Sequence, residues 1–217
     1  MLTLHERPYS IPEEIVNTTT HVIGSHISAF LFGMLLLFNF TMPDAFLSKE
    51  MGCIIYGLSS IMMFMTSSLY HAVTHIPSKK LLKTLDHIAI YFLIVGTFAP
   101  LTLACVIPSF PILGWTFLGL QLASLIGGIG FKLFSKNRYS AISVMLYCIM
   151  GWSAIIILYP LIMTMSSAAL FWFVMGGAMY TLGVPFYVLK QYKWTHCIWH
   201  IFVMLGIGCH YAMLFLI

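Results

Sequence analysis

The chain has 217 residues, of which 60% are hydrophobic and only 7% charged, with a formal net charge of +4. A water-soluble domain of this length needs far more charge to keep its surface wetted, so the composition excludes that class and indicates an integral membrane protein. The basic residues fall in short connections rather than in one patch, which gives no footing for nucleic acid.

The opening MLTLHERPYSIPEEIVNTTT carries both signs of charge and lacks the apolar core of a cleavable signal peptide. The first apolar run is therefore expected to act as its own insertion signal. At about 20 apolar residues per spanning helix, the chain reads as seven helices, over roughly 18–40, 51–72, 87–107, 111–131, 139–160, 166–189 and 196–217. Residues 1–17 are expected to form a short cytoplasmic segment and 18–217 one all-α, seven-helix transmembrane domain. The breaks carry polar or turn-forming stretches, such as HIPSKKLLKTLD after the second helix and IPSFP after the third, where Pro108 and Pro111 turn the chain.

Basic residues are retained on the cytoplasmic side of a membrane. With seven spans, the N-terminus shares a side with the second, fourth and sixth connections. Those segments hold Arg7, then Lys79, Lys80 and Lys83, then Lys132, Lys136 and Arg138, then Lys190 and Lys193. Only Lys49 remains for the other side, beside Asp44 and Glu50. The expected orientation is N-terminus inside and C-terminus outside.

Polar residues inside the spans converge on the cytoplasmic end. His71 closes the second helix, Asp86 opens the third, and His196 and His200 open the seventh. One helical turn separates the last two, so both imidazoles share a face and differ in depth by about 6 Å. Ser60, Phe64, Ser67 and His71 form one stripe, with the Ser67 hydroxyl one turn from the imidazole. Glu13, Asn17 and His21 form another on the first helix, read either as part of the site or as residues that cap and tie down that helix. His210 lies near the His196–His200 stripe further out. His26, His75 and His87 read as packing or interface residues.

Three imidazoles with an open position make the donor set of a catalytic zinc site. Neutral imidazole leaves Zn²⁺ strongly Lewis-acidic, so that bound water becomes a nucleophile near neutral pH. Asp86 is placed to orient that water or accept its proton, and Ser67 to donate a hydrogen bond to water or a substrate carbonyl. The five cysteines, Cys53, Cys105, Cys148, Cys197 and Cys209, lie in apolar runs with no CxxC pair, and read as small buried hydrophobes. Gly127, Gly128 and Gly130 allow close helix approach, within the chain or between copies.

The segments EEIVNTTTHVIG (13–24), SSLYHAV (67–73), LDHIAIYFLIVGTFAPLTL (85–103) and THCIWHIFVMLGIGCHY (195–211) together resemble the hemolysin III group, the bacterial branch of the progestin and adipoQ receptor family. The resemblance runs across nearly the whole chain. It implies a seven-helix bundle with the N-terminus inside and zinc held by His71, His196 and His200. Asp86 and Ser67 match the family's aspartate and serine. The receptor branch is linked to hydrolysis of ceramide-type amides, and the bacterial branch to haemolysis and membrane-fluidity homeostasis. His87 follows Asp86 as in the hemolysin III type, which adds a competing candidate ligand. Short outer loops leave little surface for a protein hormone, so a receptor role is not expected.

Three functions are carried forward. The leading one is a zinc-dependent hydrolase of a lipid amide or ester at the cytoplasmic leaflet of a bacterial plasma membrane. The second is a non-enzymatic regulator of membrane lipid homeostasis, in which zinc clasps the second and seventh helices and a lipid is sensed. The third is a pore-forming cytolysin, which the lack of an amphipathic or secreted segment disfavours.

Overall fold

The computed structural model describes residues 9–41, 47–136 and 141–217. Arg7, Asp44 and Arg138, which entered the charge argument, lie outside the described residues. Among the described residues there is no strand, and seven helices are long and apolar enough to cross a membrane. They are Ile11–Phe40, Leu47–Ala72, Ile76–Val106, Pro111–Phe134, Ala141–Thr164, Ser167–Val188 and Thr195–Leu214. The expected all-α, seven-helix architecture is borne out.

Two starts differ substantially from the sequence reading, and the second helix begins four residues early, at Leu47. The first helix begins at Ile11, because Ser10 and Glu13 form its capping box: Glu13 Oε2 accepts from the Ser10 backbone N–H at 3.0 Å and from its hydroxyl at 2.8 Å. The third begins at Ile76 rather than 87. The stretch PSKKLLKTLD, expected as a loop, is helical, with Pro77 in the first turn, where a missing N–H costs nothing. Asp86 is therefore ten residues inside the third helix and does not open it. Lys132, expected in a loop, lies within the fourth helix, fully buried, with its ammonium donating to the Ser143 hydroxyl and lying over the Tyr147 ring.

Prolines shape two of the spans. Pro100 cannot donate to the helical ladder, and the third helix passes into a π-helical turn over Leu101–Val106. Pro160 likewise removes a donor from the fifth, whose Ser153–Ile157 stretch instead tightens into a 3₁₀ segment. There the Ser153 hydroxyl donates to the Met150 carbonyl at 2.6 Å and accepts from Gln121 Nε2 at 2.7 Å.

The second helix packs along both the first and the third, the sixth packs along the seventh, and the first also meets the seventh. The second, third and seventh helices are the most enclosed of the seven. Their shared core includes Tyr56, Phe64, Phe98, Leu101, Val203 and Ile207. A buried hydroxyl network ties the first, second and seventh together: Ser28 Oγ lies 2.6 Å from Ser60 Oγ and 3.0 Å from the Tyr211 hydroxyl, which is 2.9 Å from Ser60 Oγ. In an apolar bundle such groups must satisfy one another. Gly128 takes the Tyr91 ring within the chain, whereas Gly127 and Gly130 face open space.

Close approach of the second and third helices depends on Gly52, where a Cβ would sit 2.3 Å from the Pro100 Cα, a backbone atom that cannot swing aside. Gly52→Ala is expected to destabilise the fold by about 1–3 kcal/mol through forced helix separation. Gly33→Ala meets nothing within 4 Å and is expected to be neutral or stabilising by up to about 1 kcal/mol. Thermal unfolding of the two variants in detergent checks this contrast.

Candidate metal centre

The site is assembled from the ends of three helices. His71 is the penultimate residue of the second, and its end is held by Lys79, whose ammonium donates to the Tyr70 and Val73 carbonyls at 3.1 Å each. A cation at a helix C-terminus also meets the negative end of the helix dipole. The seventh helix starts after Trp194, a non-glycine residue in the left-handed region at φ 68°. That backbone is costly for a bulky side chain. Its N–H donates to Glu13 Oε1 at 2.9 Å, so the carboxylate that caps the first helix also pins the start of the seventh.

His71, His196 and His200 are all buried, and each offers one nitrogen to a group whose members lie within 4.8 Å of one another. The contacts are Nε2 to Nε2: 3.2 Å from His71 to His196 and 3.1 Å from His200 to His196. Zinc–nitrogen bonds of about 2.0–2.1 Å in tetrahedral geometry require nitrogens about 3.3–3.4 Å apart. These two pairs thus match a zinc ion with little adjustment, and the third pair lies within 4.8 Å.

The outer nitrogens fix the tautomers, which follow from their partners. His71 Nδ1 donates to Glu14 Oε2 at 2.6 Å, leaving Nε2 bare. The Thr20 hydroxyl donates to the Val16 and Asn17 carbonyls, so at 3.3 Å its oxygen accepts from His200 Nδ1, and His200 Nε2 is bare as well. Two bare nitrogens face His196, whose Nε2 carries at most one hydrogen. All three lone pairs would be used at once if His71, His196 and His200 held a metal ion.

Aromatic rings wall the site. Tyr9, just ahead of the first helix, stacks on His196 at 4.9 Å and lies 5.6 Å from His71. His21 stacks on His200 with centroids 3.6 Å apart and meets Phe64 edge-on. The stripe Glu13–Asn17–His21 is thereby split between two tasks. Glu13 is a cap and a tie, while His21 adjoins the histidine group. Among the described residues, the side-chain amide of Asn17 and both ring nitrogens of His21 are buried without a hydrogen-bond partner.

Ser67 is buried on the second helix, and Asp86 lies beside its hydroxyl, within electrostatic reach of His71. His210 stands apart, about 15 Å along the helix from His200. Its Nε2 donates to the Phe173 carbonyl at 3.3 Å, and Gly176 leaves room for its ring. His87 is outside the group: its Nδ1 meets the Tyr187 hydroxyl at 3.3 Å, and its carbonyl accepts from Tyr147 at 2.8 Å. His26 bonds to the Val22 carbonyl and His75 to Ser78, both exposed. Among the described residues no cysteine joins the cluster.

Sequence reasoning missed Tyr9, Glu14, Thr20 and Lys79. Glu14 had a signal, since it follows Glu13 of the Glu13–Asn17–His21 stripe by one rotation of about 100° and so faces the neighbouring second helix.

Comparison with known proteins places the chain in a family. Residues 9–211 match the family described as Haemolysin-III related. The Hemolysin-3 homolog of Bacillus subtilis (strain 168) is 36% identical over 198 residues, covering 91% of each chain. Hemolysin-3 of Bacillus cereus is 34% identical over 196 residues, covering 90% of this chain and 87% of that protein. The human Monocyte to macrophage differentiation factor is 29% identical over 166 residues, or 72% of this chain and 66% of its own. With a match that takes in the first helix, the histidine pair of the seventh and every span between, the chain belongs to the haemolysin III family of multi-pass membrane proteins.

Proposed function

We propose that this chain is a zinc-dependent hydrolase that cleaves an amide or ester bond of a membrane lipid at the cytoplasmic leaflet of a bacterial plasma membrane. The observation that carries the reading is the convergence of three imidazole nitrogens within 4.8 Å, His196 Nε2 lying 3.1–3.2 Å from the other two, with Asp86 and Ser67 alongside. His71, His196 and His200 would hold the ion, which when bound supplies Lewis acidity and a lowered water pKa. Asp86 would accept the proton of the attacking water and return it to the leaving amine or alcohol. Ser67 would donate its hydroxyl hydrogen bond to the carbonyl oxygen. The bacterial relatives and the excess of basic residues on one side of the span assignment support the membrane and leaflet.

The competing reading is a clasp. The ligands come from two helices that each pack on the first, so a metal ion also locks the bundle. The two readings part at Asp86, which a clasp does not need.

Mass spectrometry of protein purified without a metal-affinity tag is expected to find about one zinc per chain in the wild type and little in His71→Ala, His196→Ala and His200→Ala. No zinc in the wild type, prepared without chelator, would remove the ligand reading. Asp86→Ala is expected to keep most of the zinc while changing the cellular lipid profile relative to wild type, as loss of a general base costs about 10²–10⁴ in rate. Identical lipid profiles, with zinc retained, would favour the clasp.

A further inference from the structure

The two adjacent glutamates of the first helix have separate partners. Glu13 spends its oxygens on backbone and cap groups, Ser10 and Trp194. Glu14 spends one oxygen on the Lys79 ammonium at 2.8 Å and the other on His71 Nδ1 at 2.6 Å. The second distance is short, as in charge-assisted hydrogen bonds. Lys79 is itself fixed, because its remaining hydrogens go to carbonyls at the end of the second helix. The carboxylate is therefore held by the third helix, mounted on the first, and aimed at an imidazole on the second.

We propose that Glu14 is the positioning residue of the metal centre, setting the tautomer and ring orientation of His71 so that its Nε2 points at His196 and His200, with Lys79 as its anchor. This inference rests on the ligand reading of the three histidines. A carboxylate on the far nitrogen of an imidazole does two things that a neutral acceptor does not do equally well. It keeps the proton on Nδ1, and it makes Nε2 a stronger electron-pair donor. Among the described residues the other two imidazoles have no carboxylate in that role: His200 Nδ1 meets a threonine hydroxyl, and His196 Nδ1 has no hydrogen-bond partner. The donor strength of the site is thus concentrated on His71.

A plain ion pair with Lys79 would hold the helices together without touching metal affinity, so the test separates the two roles. Zinc is titrated against a chromophoric chelator into the full-length, detergent-purified chain, as wild type, Glu14→Gln and Glu14→Leu. Unfolding temperatures of the metal-free proteins are measured in parallel. Glu14→Leu is expected to bind zinc about 10–100-fold more weakly. Glu14→Gln, which keeps an acceptor without the charge, is expected to fall between, with a metal-free unfolding temperature close to wild type.

Equal zinc affinity in wild type and Glu14→Leu overturns the inference and leaves the ligand reading intact. Affinity losses that merely track loss of the metal-free fold in both variants also overturn it, since Glu14 would then be a helix contact. A wild type that takes up no zinc at all removes the ligand reading, and this inference with it.

Discussion

Three imidazole nitrogens gathered within 4.8 Å of one another in an apolar bundle, with His196 Nε2 at 3.1–3.2 Å from each of the other two, form the constraint around which the rest is organised. Polar groups withdrawn from water need partners, and imidazoles facing each other lone pair to lone pair satisfy one another poorly. The surrounding structure makes the arrangement stable by over-determining it. Glu14 and Thr20 hold the outer nitrogens, Tyr9 and His21 stack on the rings, and Glu13 pins the strained residue that starts the seventh helix. Every one of these braces comes from the first helix or the residues just before it.

That dependence explains why the first helix begins so early. Its first turn is not an extension into solvent but the framework of the site, anchored by the capping box and by ties to both neighbours. Lys79 plays the matching part for the third helix, whose early turns fold where a loop was expected. Further along, the bundle is held by packing and by the mid-helix Ser28–Ser60–Tyr211 hydroxyls, with Gly52 and Pro100 letting two backbones approach.

Much of this is legible in the chain. Seven apolar runs define the spans, and the four-residue spacing of His196 and His200, with His71 at a matching depth, defines the donor set before any coordinates exist. The start of the third helix is not legible, because PSKKLLKTLD has a loop's polarity and reveals its helical nature only through tertiary packing. Glu14 is obscured by its neighbour. The Glu13–Asn17–His21 spacing marks one face, while the carboxylate that reaches His71 sits one residue further round. His210 shares the stripe of the other two histidines, yet its helical distance alone removes it from the site. Lys132 reads as a loop cation by charge and is buried by its contacts with Ser143 and Tyr147.

The most direct test of this account is X-ray absorption at the zinc edge on the purified chain. The account predicts about three imidazole nitrogens and one further light atom at about 2.0–2.1 Å in a four-coordinate shell. A shell containing sulfur at about 2.3 Å, or zinc with imidazole scattering unchanged when His71 and His200 are both replaced by alanine, would contradict it.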